Sequence, residues 1–355
     1  MKSIIFFTSI TALVFFISCK EQEKEPVSPL VIAAGQMPEM AKDISGNLHL
    51  IYGTGDSIMY VYSDDKGHSF SSPVLVDTLP ALVASATRGP QITPVKDGLS
   101  IIAADNTGNI FSFTKKQSGK WAKAARVNDV DTIDKEGFLG LSGDGNNNLF
   151  AIWPDLRNDG RNKIYGARST DGGKTWSKNI MVYTSPDGTV CECCKPSVVM
   201  KDNNVYVMFR NFLNGNRDLY LIQSADGGNS FGEAQKLGNG NWPLDGCPMD
   251  GGGIAVNNNG EVQTVWRREN KIFTVVPGNE EKEIGEGKGC TMEVVANKNV
   301  YAWTENGEVI CLLPNGKKEL LGKGKQPIIK AINDTQLICV WEYEKEIHRS
   351  ILEIL

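Results

Sequence analysis

The sequence contains little histidine, no excess of basic charge and no apolar run long enough to span a membrane comfortably. Its three histidines are His49, His68 and His348, and none adjoins a cysteine, so a histidine-rich zinc site is not expected. Lysine and arginine number 37 against 42 aspartates and glutamates, which argues against a nucleic-acid partner. Long amphipathic helical patterns are also missing, whereas 37 glycines indicate many turns. Together these features favour an all-β protein.

The apolar run at the N-terminus is typical of a targeting segment. Lys2 precedes it, and it extends over residues 4–17 before the sequence Ser18-Cys19. This ending resembles a bacterial lipobox, which implies a signal peptide at residues 1–18 and a lipid on Cys19. Residues 19–28 are charged and would form a flexible tether. The resemblance implies a membrane-anchored protein of the bacterial envelope, facing the periplasm or at the cell surface; an ordinary signal peptide is the alternative.

One eight-residue pattern occurs three times after the tether. It reads Ser-x-Asp-x-Gly-x-Ser/Thr-aromatic and lies at residues 63–70, 169–176 and 224–231. The aspartate is expected to accept hydrogen bonds from backbone N–H groups one or two residues on, and the glycine to adopt a positive φ. The aromatic residue is expected to begin the next strand. The positions concerned are Asp65, Gly67, Asp171, Gly173, Trp176, Asp226 and Gly228. Three such turns indicate an internal repeat.

This pattern resembles the Asp box, or BNR repeat, of the sialidase-like β-propeller family. The resemblance implies that each box closes the turn between the third and fourth strands of a four-stranded antiparallel blade. It also implies that the box is structural and takes no part in chemistry.

Seven apolar runs mark the second strands of seven repeated units. They lie at residues 49–52, 99–104, 149–153, 205–209, 262–266, 300–303 and 337–341. Residues 29–355 are therefore predicted to form one β-propeller domain with seven blades; six is the alternative, because sialidases of this resemblance have six. The seventh unit has only three strands, so residues 29–34 are predicted to supply its outer strand and close the ring.

Charged residues follow the second strands of the third, fourth and fifth units. In a propeller these loops share one face with the connections between blades, opposite the Asp boxes. Solvated loop tips with weak surface ion pairs are one interpretation. A polar ligand site is the other, because binding residues tend to lie on loops held by a rigid scaffold. Its candidate residues are Arg157, Arg161, Arg217, Asp218 and Arg268.

Cysteines and methionines concentrate at the connections between blades. The innermost strands that follow surround the axis, so these residues are expected to converge at the mouth of the channel. They are Cys191, Cys193, Cys194, Cys247, Cys290, Met249 and Met292. Two disulfides and one free thiol are one outcome, favoured by the envelope location. A thiolate site for a soft metal, copper or zinc, is the alternative. Cys311 and Cys339 lie in apolar strands and are predicted to pack in the core.

The family resemblance also implies a set of catalytic candidates. Sialidases hold the substrate carboxylate with three arginines and use a Tyr–Glu pair and an aspartate for the chemistry. Arg88 lies in Thr87-Arg88-Gly89-Pro90, a degenerate form of the first arginine motif, and Arg210 and Arg267 would complete the triad. Asp155 and Glu269 are candidates by position, but no tyrosine can be assigned.

Fold resemblance does not establish catalysis, so we predict a binding module with a Cys/Met/Arg-rich site at the axial mouth. Its ligand would be a glycan, a protein partner or a metal. An exo-α-sialidase or a related glycoside hydrolase is the alternative.

Overall fold

The structure is a computed structural model that describes residues 30–116, 119–131 and 137–354. The predicted signal peptide, Cys19 and the tether lie outside these residues. The described residues form strands, turns and loops without a helix, and accordingly none of them belongs to a helix able to cross a membrane.

The described residues form seven antiparallel sheets of four strands each, the blades of a β-propeller. The chain begins with β1 (Leu30–Ala34) and then builds the blades in order, each from its innermost strand outward. Blades 1 to 3 comprise β2 (Gln36–Lys42), β3 (Leu48–Thr54), β4 (Ser57–Ser63), β5 (Val74–Thr78); β6 (Gln91–Val95), β7 (Gly98–Ala104), β8 (Ile110–Lys116), β9 (Ala122–Arg126); β10 (Gly140–Gly143), β11 (Leu149–Asp155), β12 (Lys163–Ser169) and β13 (Ile180–Tyr183).

The remaining four blades follow the same order. They comprise β14 (Ser197–Lys201), β15 (Asn204–Arg210), β16 (Leu219–Ser224), β17 (Gln235–Lys236); β18 (Gly252–Val256), β19 (Val262–Arg268), β20 (Lys271–Val275), β21 (Lys282–Glu286); β22 (Lys288–Val295), β23 (Lys298–Glu305), β24 (Glu308–Leu312), β25 (Lys318–Lys323); and β26 (Lys325–Ala331), β27 (Gln336–Tyr343), β28 (Glu346–Glu353). The prediction of seven blades is confirmed, and the six-bladed alternative is wrong.

The ring closes through β1, as predicted. This strand pairs antiparallel with β28, so that Leu30 lies opposite Arg349 and Ala34 opposite Glu346. The innermost strands of successive blades neighbour one another all the way round, including β26 beside β2. β1 covers the edge of the longer β28 and becomes the short outer strand of blade 7, which leaves less unpaired backbone open to another chain.

The core lies between the blades and is dominated by the seven second strands. All seven predicted runs occupy that position, in β3, β7, β11, β15, β19, β23 and β27. Four of these strands contribute a fully buried tryptophan: Trp153, Trp266, Trp303 and Trp341. Such rings supply large apolar area in a stack of sheets. Cys311 and Cys339 pack together with Trp341 in one of these clusters, which confirms their predicted core role.

Each Asp box lies between the third and fourth strands of its blade, in blades 1, 3 and 4. In blade 3, Asp171 Oδ1 accepts a hydrogen bond from Thr175 N at 2.9 Å, and Oδ2 accepts one from Thr175 Oγ1 at 2.6 Å. Ser169 Oγ accepts from Gly173 N at 2.8 Å. The boxes of Asp65 and Asp226 repeat these contacts.

Two details of the turn differ from the sequence expectation. The backbone donors to Asp171 lie three and four residues on, at Lys174 and Thr175, because the loop curls back under the carboxylate. The aromatic residue is half-buried ahead of the fourth strand: Trp176 precedes β13 instead of beginning it. The glycine prediction is confirmed, since Gly173 has φ 86° and a Cβ there would lie 2.2 Å from Ser100 Oγ of the neighbouring blade.

We expect the Asp171→Asn variant to lose about 1 kcal/mol of stability at neutral pH, through weakened hydrogen bonds. Burial acts to raise the pKa of Asp171, but hydrogen bonds from Thr175 and Ser169 outweigh it and lower the pKa below the ordinary 3.8. Because the pKa of Asp171 is lower in the folded protein than in the unfolded chain, its ionised carboxylate stabilises the fold fully above pH 3.8. This stabilisation is lost as the pH falls through the pKa of the folded state. Urea unfolding at a series of pH values should show the gap between wild type and variant closing below pH 3.8. A gap that widens towards acid would contradict this.

Candidate functional site

The seven innermost strands enclose an axial cavity of about 480 Å³. Two ion pairs line it: Lys195 Nζ lies 3.6 Å from Glu39 Oε2, and Lys330 Nζ lies 3.1 Å from Glu293 Oε2. Lys195 also donates to Gln91 Oε1 at 3.0 Å. The Glu293 carboxylate raises the pKa of Lys330, so this lysine is cationic inside the cavity. The cavity therefore offers both acidic and basic groups to a polar ligand.

Lys330 was missed by sequence reasoning. A signal existed, because it is a lysine within the otherwise apolar Ile328-Ile329 run of an innermost strand. Such a position faces the axis in a propeller, but only the ring geometry brings Glu293 beside it from the preceding blade.

Three buried cysteines meet in the connection that leads into blade 4, and we call Cys191, Cys193 and Cys194 the thiol cluster. Their Sγ atoms all lie within 4.8 Å of one another. Cys191 Sγ is 3.3 Å from Cys194 Sγ and 3.7 Å from Cys193 Sγ. Cys193 forms a disulfide with Cys247, which lies in the connection leading into blade 5. Two junctions from neighbouring blades are thus cross-linked at the mouth.

The cysteine pairing differs from the expectation of two disulfides. Cys193–Cys247 is the single bridge among the described residues, and Cys191, Cys194 and Cys290 are free. Cys290 is buried and packs with Met292, while Met249 is 44% exposed. The two methionines therefore face different surroundings.

Cys191 is set apart from the other thiols by its electrostatic surroundings. The hydrogen bond with Cys194, together with the guanidinium groups of Arg210 and Arg217, lowers the pKa of Cys191 to about 6 against the opposing effect of burial. Arg217 Nη1 lies 3.2 Å from Cys191 Sγ and 3.1 Å from Glu192 Oε2. Burial raises the pKa of Cys194 well above its usual range. One thiolate beside one thiol is therefore the expected state at neutral pH.

Arg210 and Arg267 are brought together behind the thiol cluster. Arg210 Nη2 donates to the carbonyl of Arg267 at 2.8 Å, and both guanidinium groups lie over the ring of Trp242, at 5.0 and 5.4 Å. Arg267 Nη1 lies 3.4 Å from Asp250 Oδ2, which also accepts a hydrogen bond from Gly289 N at 3.1 Å. Burial raises the pKa of Asp250, although these neighbours oppose it. Trp242 carried no motif that could have marked it in the sequence.

The third arginine of the predicted triad lies elsewhere. The Arg88 guanidinium lies 4.4 Å from the centre of the Phe138 ring, between blades 2 and 3. Arg210 and Arg267 belong to blades 4 and 5. The structure therefore brings two of the three arginines together and places Arg88 against a different ring.

Asp155 is fully buried, and both of its carboxylate oxygens accept hydrogen bonds. It accepts hydrogen bonds from Trp153 Nε1 at 2.9 Å and from Arg157 Nε and Nη2 at 2.9 and 2.8 Å. Arg157 also lies over the ring of Tyr165. The other charged candidates have local partners or face solvent: Arg268 pairs with Glu281, Asp218 pairs with Lys236, and Arg161 and Glu269 are exposed.

No protein-family model matches the sequence, and no curated protein sequence matches it. Solved structures match its fold across nearly the whole chain. The BP39L lectin from Burkholderia pseudomallei has a TM-score of 0.64 at 10% identity, covering 91% of this chain and 97% of the lectin. The α-L-arabinanase of Penicillium chrysogenum complexed with arabinobiose has a TM-score of 0.56 at 11% identity, covering 93% and 99%. The virginiamycin B lyase of Staphylococcus aureus has a TM-score of 0.55 at 14% identity, covering 92% and 99%. At such identities these likenesses show the fold alone.

Proposed function

We propose that the protein is an envelope-anchored module that binds a glycan at the axial mouth opposite the Asp boxes. The observation that carries this proposal is the polar axial cavity, whose lining includes Lys195, in the junction that leads into blade 4, beside Glu39. Carboxylate and ammonium groups side by side suit the hydroxyl-rich surface of a sugar, which both donates and accepts hydrogen bonds. Lectins and sugar-cleaving enzymes occur among proteins of the same fold, so glycans are the first ligand class to test.

Binding is favoured over hydrolysis because the buried carboxyl groups of Asp155 and Asp250 are already engaged by other groups. Glycoside hydrolysis needs two facing carboxyl groups that are free to act on the substrate. Asp155 is buried against Arg157, and Asp250 is held by Arg267 and Gly289. Arg210 is 2% exposed and is directed at backbone carbonyls.

Fluorescently labelled full-length protein should bind an array of sialylated, fucosylated and arabinose-containing oligosaccharides. Lys195→Met should weaken that binding by about tenfold or more, because a charge-assisted hydrogen bond contributes roughly 1.5–3 kcal/mol. Lys317→Met, at an exposed lysine, is the matched control and should bind as wild type does. Absence of binding to every glycan, or equal binding by both variants, would refute the proposal. Turnover of a fluorogenic sialoside that disappears in Arg267→Ala would establish the hydrolase alternative instead.

Envelope anchoring through Cys19 is part of the same proposal. Cys19→Ser should abolish incorporation of labelled palmitate and should move the protein from the membrane fraction to the soluble fraction, because a lipidated chain is held by its acyl groups. Labelled, membrane-bound Cys19→Ser protein would show that another segment holds it. This measurement is independent of glycan binding.

A further inference from the structure

The thiol cluster has the arrangement of an incomplete three-sulfur site. Its sulfurs are separated by 3.3 Å and 3.7 Å, and all three lie within 4.8 Å. Three thiolates placed about 2.3 Å from a common cation are roughly 4 Å apart, which this cluster reaches with small adjustments. One of the three sulfurs, Cys193 Sγ, is withheld because it is bonded to Cys247.

We propose that reduction of the Cys193–Cys247 disulfide completes a three-thiolate site in which Cys191, Cys193 and Cys194 hold one thiophilic cation, Cu(I). The proposal goes beyond glycan binding and does not depend on it. It concerns a junction between blades, whereas the glycan would lie in the axial cavity.

The donor set selects the class of metal. The cluster consists of sulfur alone, and soft thiolates favour Cu(I) among the common cations. The nearby carboxylates are already committed, Glu192 to Arg217 and Asp250 to Arg267. Zinc would need a fourth ligand to complete its usual tetrahedron.

The surrounding positive charge offsets part of the charge of the site that would form. Three thiolates and one Cu(I) carry a net charge of −2. Two guanidinium groups, Arg210 and Arg217, act electrostatically on Cys191, and Arg217 Nη1 lies 3.2 Å from its sulfur. Because the three cysteines are buried, such compensation is needed, since an unpaired charge in a protein interior is costly.

The disulfide is accessible from one side. Cys247 is exposed, whereas Cys193 is buried. A dithiol reductant attacks Cys247 Sγ as a thiolate, forms a mixed disulfide and releases the Cys193 thiolate. The second thiol of the reductant then attacks the mixed disulfide, releases Cys247 and leaves the reductant oxidised as a disulfide. This two-electron reduction frees the Cys193 sulfur for the metal site. Cu(I) binding then displaces the protons that remain on the thiols.

The test compares Cu(I) affinity in competition with bathocuproine disulfonate, under anaerobic conditions, for the full-length protein. Wild type with its disulfide intact, verified by mass spectrometry, should bind at least tenfold more weakly than wild type reduced with a phosphine and desalted. Cys247→Ser should bind one Cu(I) per chain tightly without any reductant, because Cys193 is then always free. Cys339→Ser, at a core cysteine outside the cluster, should behave as wild type does.

X-ray absorption on Cu(I)-loaded Cys247→Ser should show three sulfur neighbours, and Cys194→Ser in that background should show a loss of affinity. If the variant that also carries Cys194→Ser folds poorly, the number of sulfur neighbours measured in Cys247→Ser still decides the test. Equal affinity of oxidised wild type and Cys247→Ser would overturn the proposal. So would two sulfur neighbours, or retention of Zn(II) in preference to Cu(I) by Cys247→Ser.

Discussion

Replacing Arg210 with alanine is expected to lower the free energy of unfolding by about 3–5 kcal/mol. This guanidinium is buried and donates to the carbonyls of Arg217 and Arg267, at 2.7 and 2.8 Å, so it joins a loop of blade 4 to strand β19 of blade 5. Alanine deprives two partly buried carbonyl acceptors of their donor and removes a positive charge that acts on Asp250. Urea unfolding followed by tryptophan fluorescence measures the change.

Arg161→Ala is the matched control for this experiment. Arg161 belongs to an equivalent loop of blade 3 and is exposed, so its removal should change stability by no more than about 0.5 kcal/mol. If the two variants unfold at the same urea concentration, Arg210 does not hold the blades together.

Deleting residues 1–34, which removes β1, is expected to cost about 3–5 kcal/mol and to cause self-association. The deletion removes the pairing that runs from Leu30 opposite Arg349 to Ala34 opposite Glu346. It also removes Ile32 and Ala33, which are partly buried and pack against the core cluster of blades 7 and 1. The edge of β28 would then offer unpaired backbone groups to another chain.

Deleting residues 1–28 is the control, because it keeps β1 while removing the predicted signal peptide and tether. That variant should have the same urea midpoint as the undeleted protein and should elute as a single species on gel filtration. If the longer deletion behaves in the same way, ring closure through β1 does not contribute to stability.

Local features of this protein could be predicted from its sequence. The Asp boxes, the positive φ of Gly173 and the seven second strands depend on neighbours within a few residues or on a repeated period, and all are confirmed. The details of hydrogen bonding in the boxes were less well predicted. Which backbone N–H reaches Asp171 depends on how tightly the loop curls.

The proximity of the cysteine-bearing junctions was predictable, but the pairing of their cysteines was not. Cysteine spacing indicated that the junctions converge, yet it could not give the Cys193–Cys247 pairing, because connectivity across 54 residues depends on how neighbouring blades pack. Arg210 illustrates the same limit. Its position after a second strand suggested a ligand-facing arginine, whereas the fold buries it against the carbonyls of Arg217 and Arg267.

The sequence by itself therefore determined the class of fold and the number of blades. Each of these follows from period, turn chemistry and alternation along one strand. Only the tertiary structure decided which side chains form ion pairs and disulfides with one another. The Glu293–Lys330 pair and the Cys193–Cys247 bridge arise where separate blades pack together around a common axis, so their distances are set by the ring and not by the local chain.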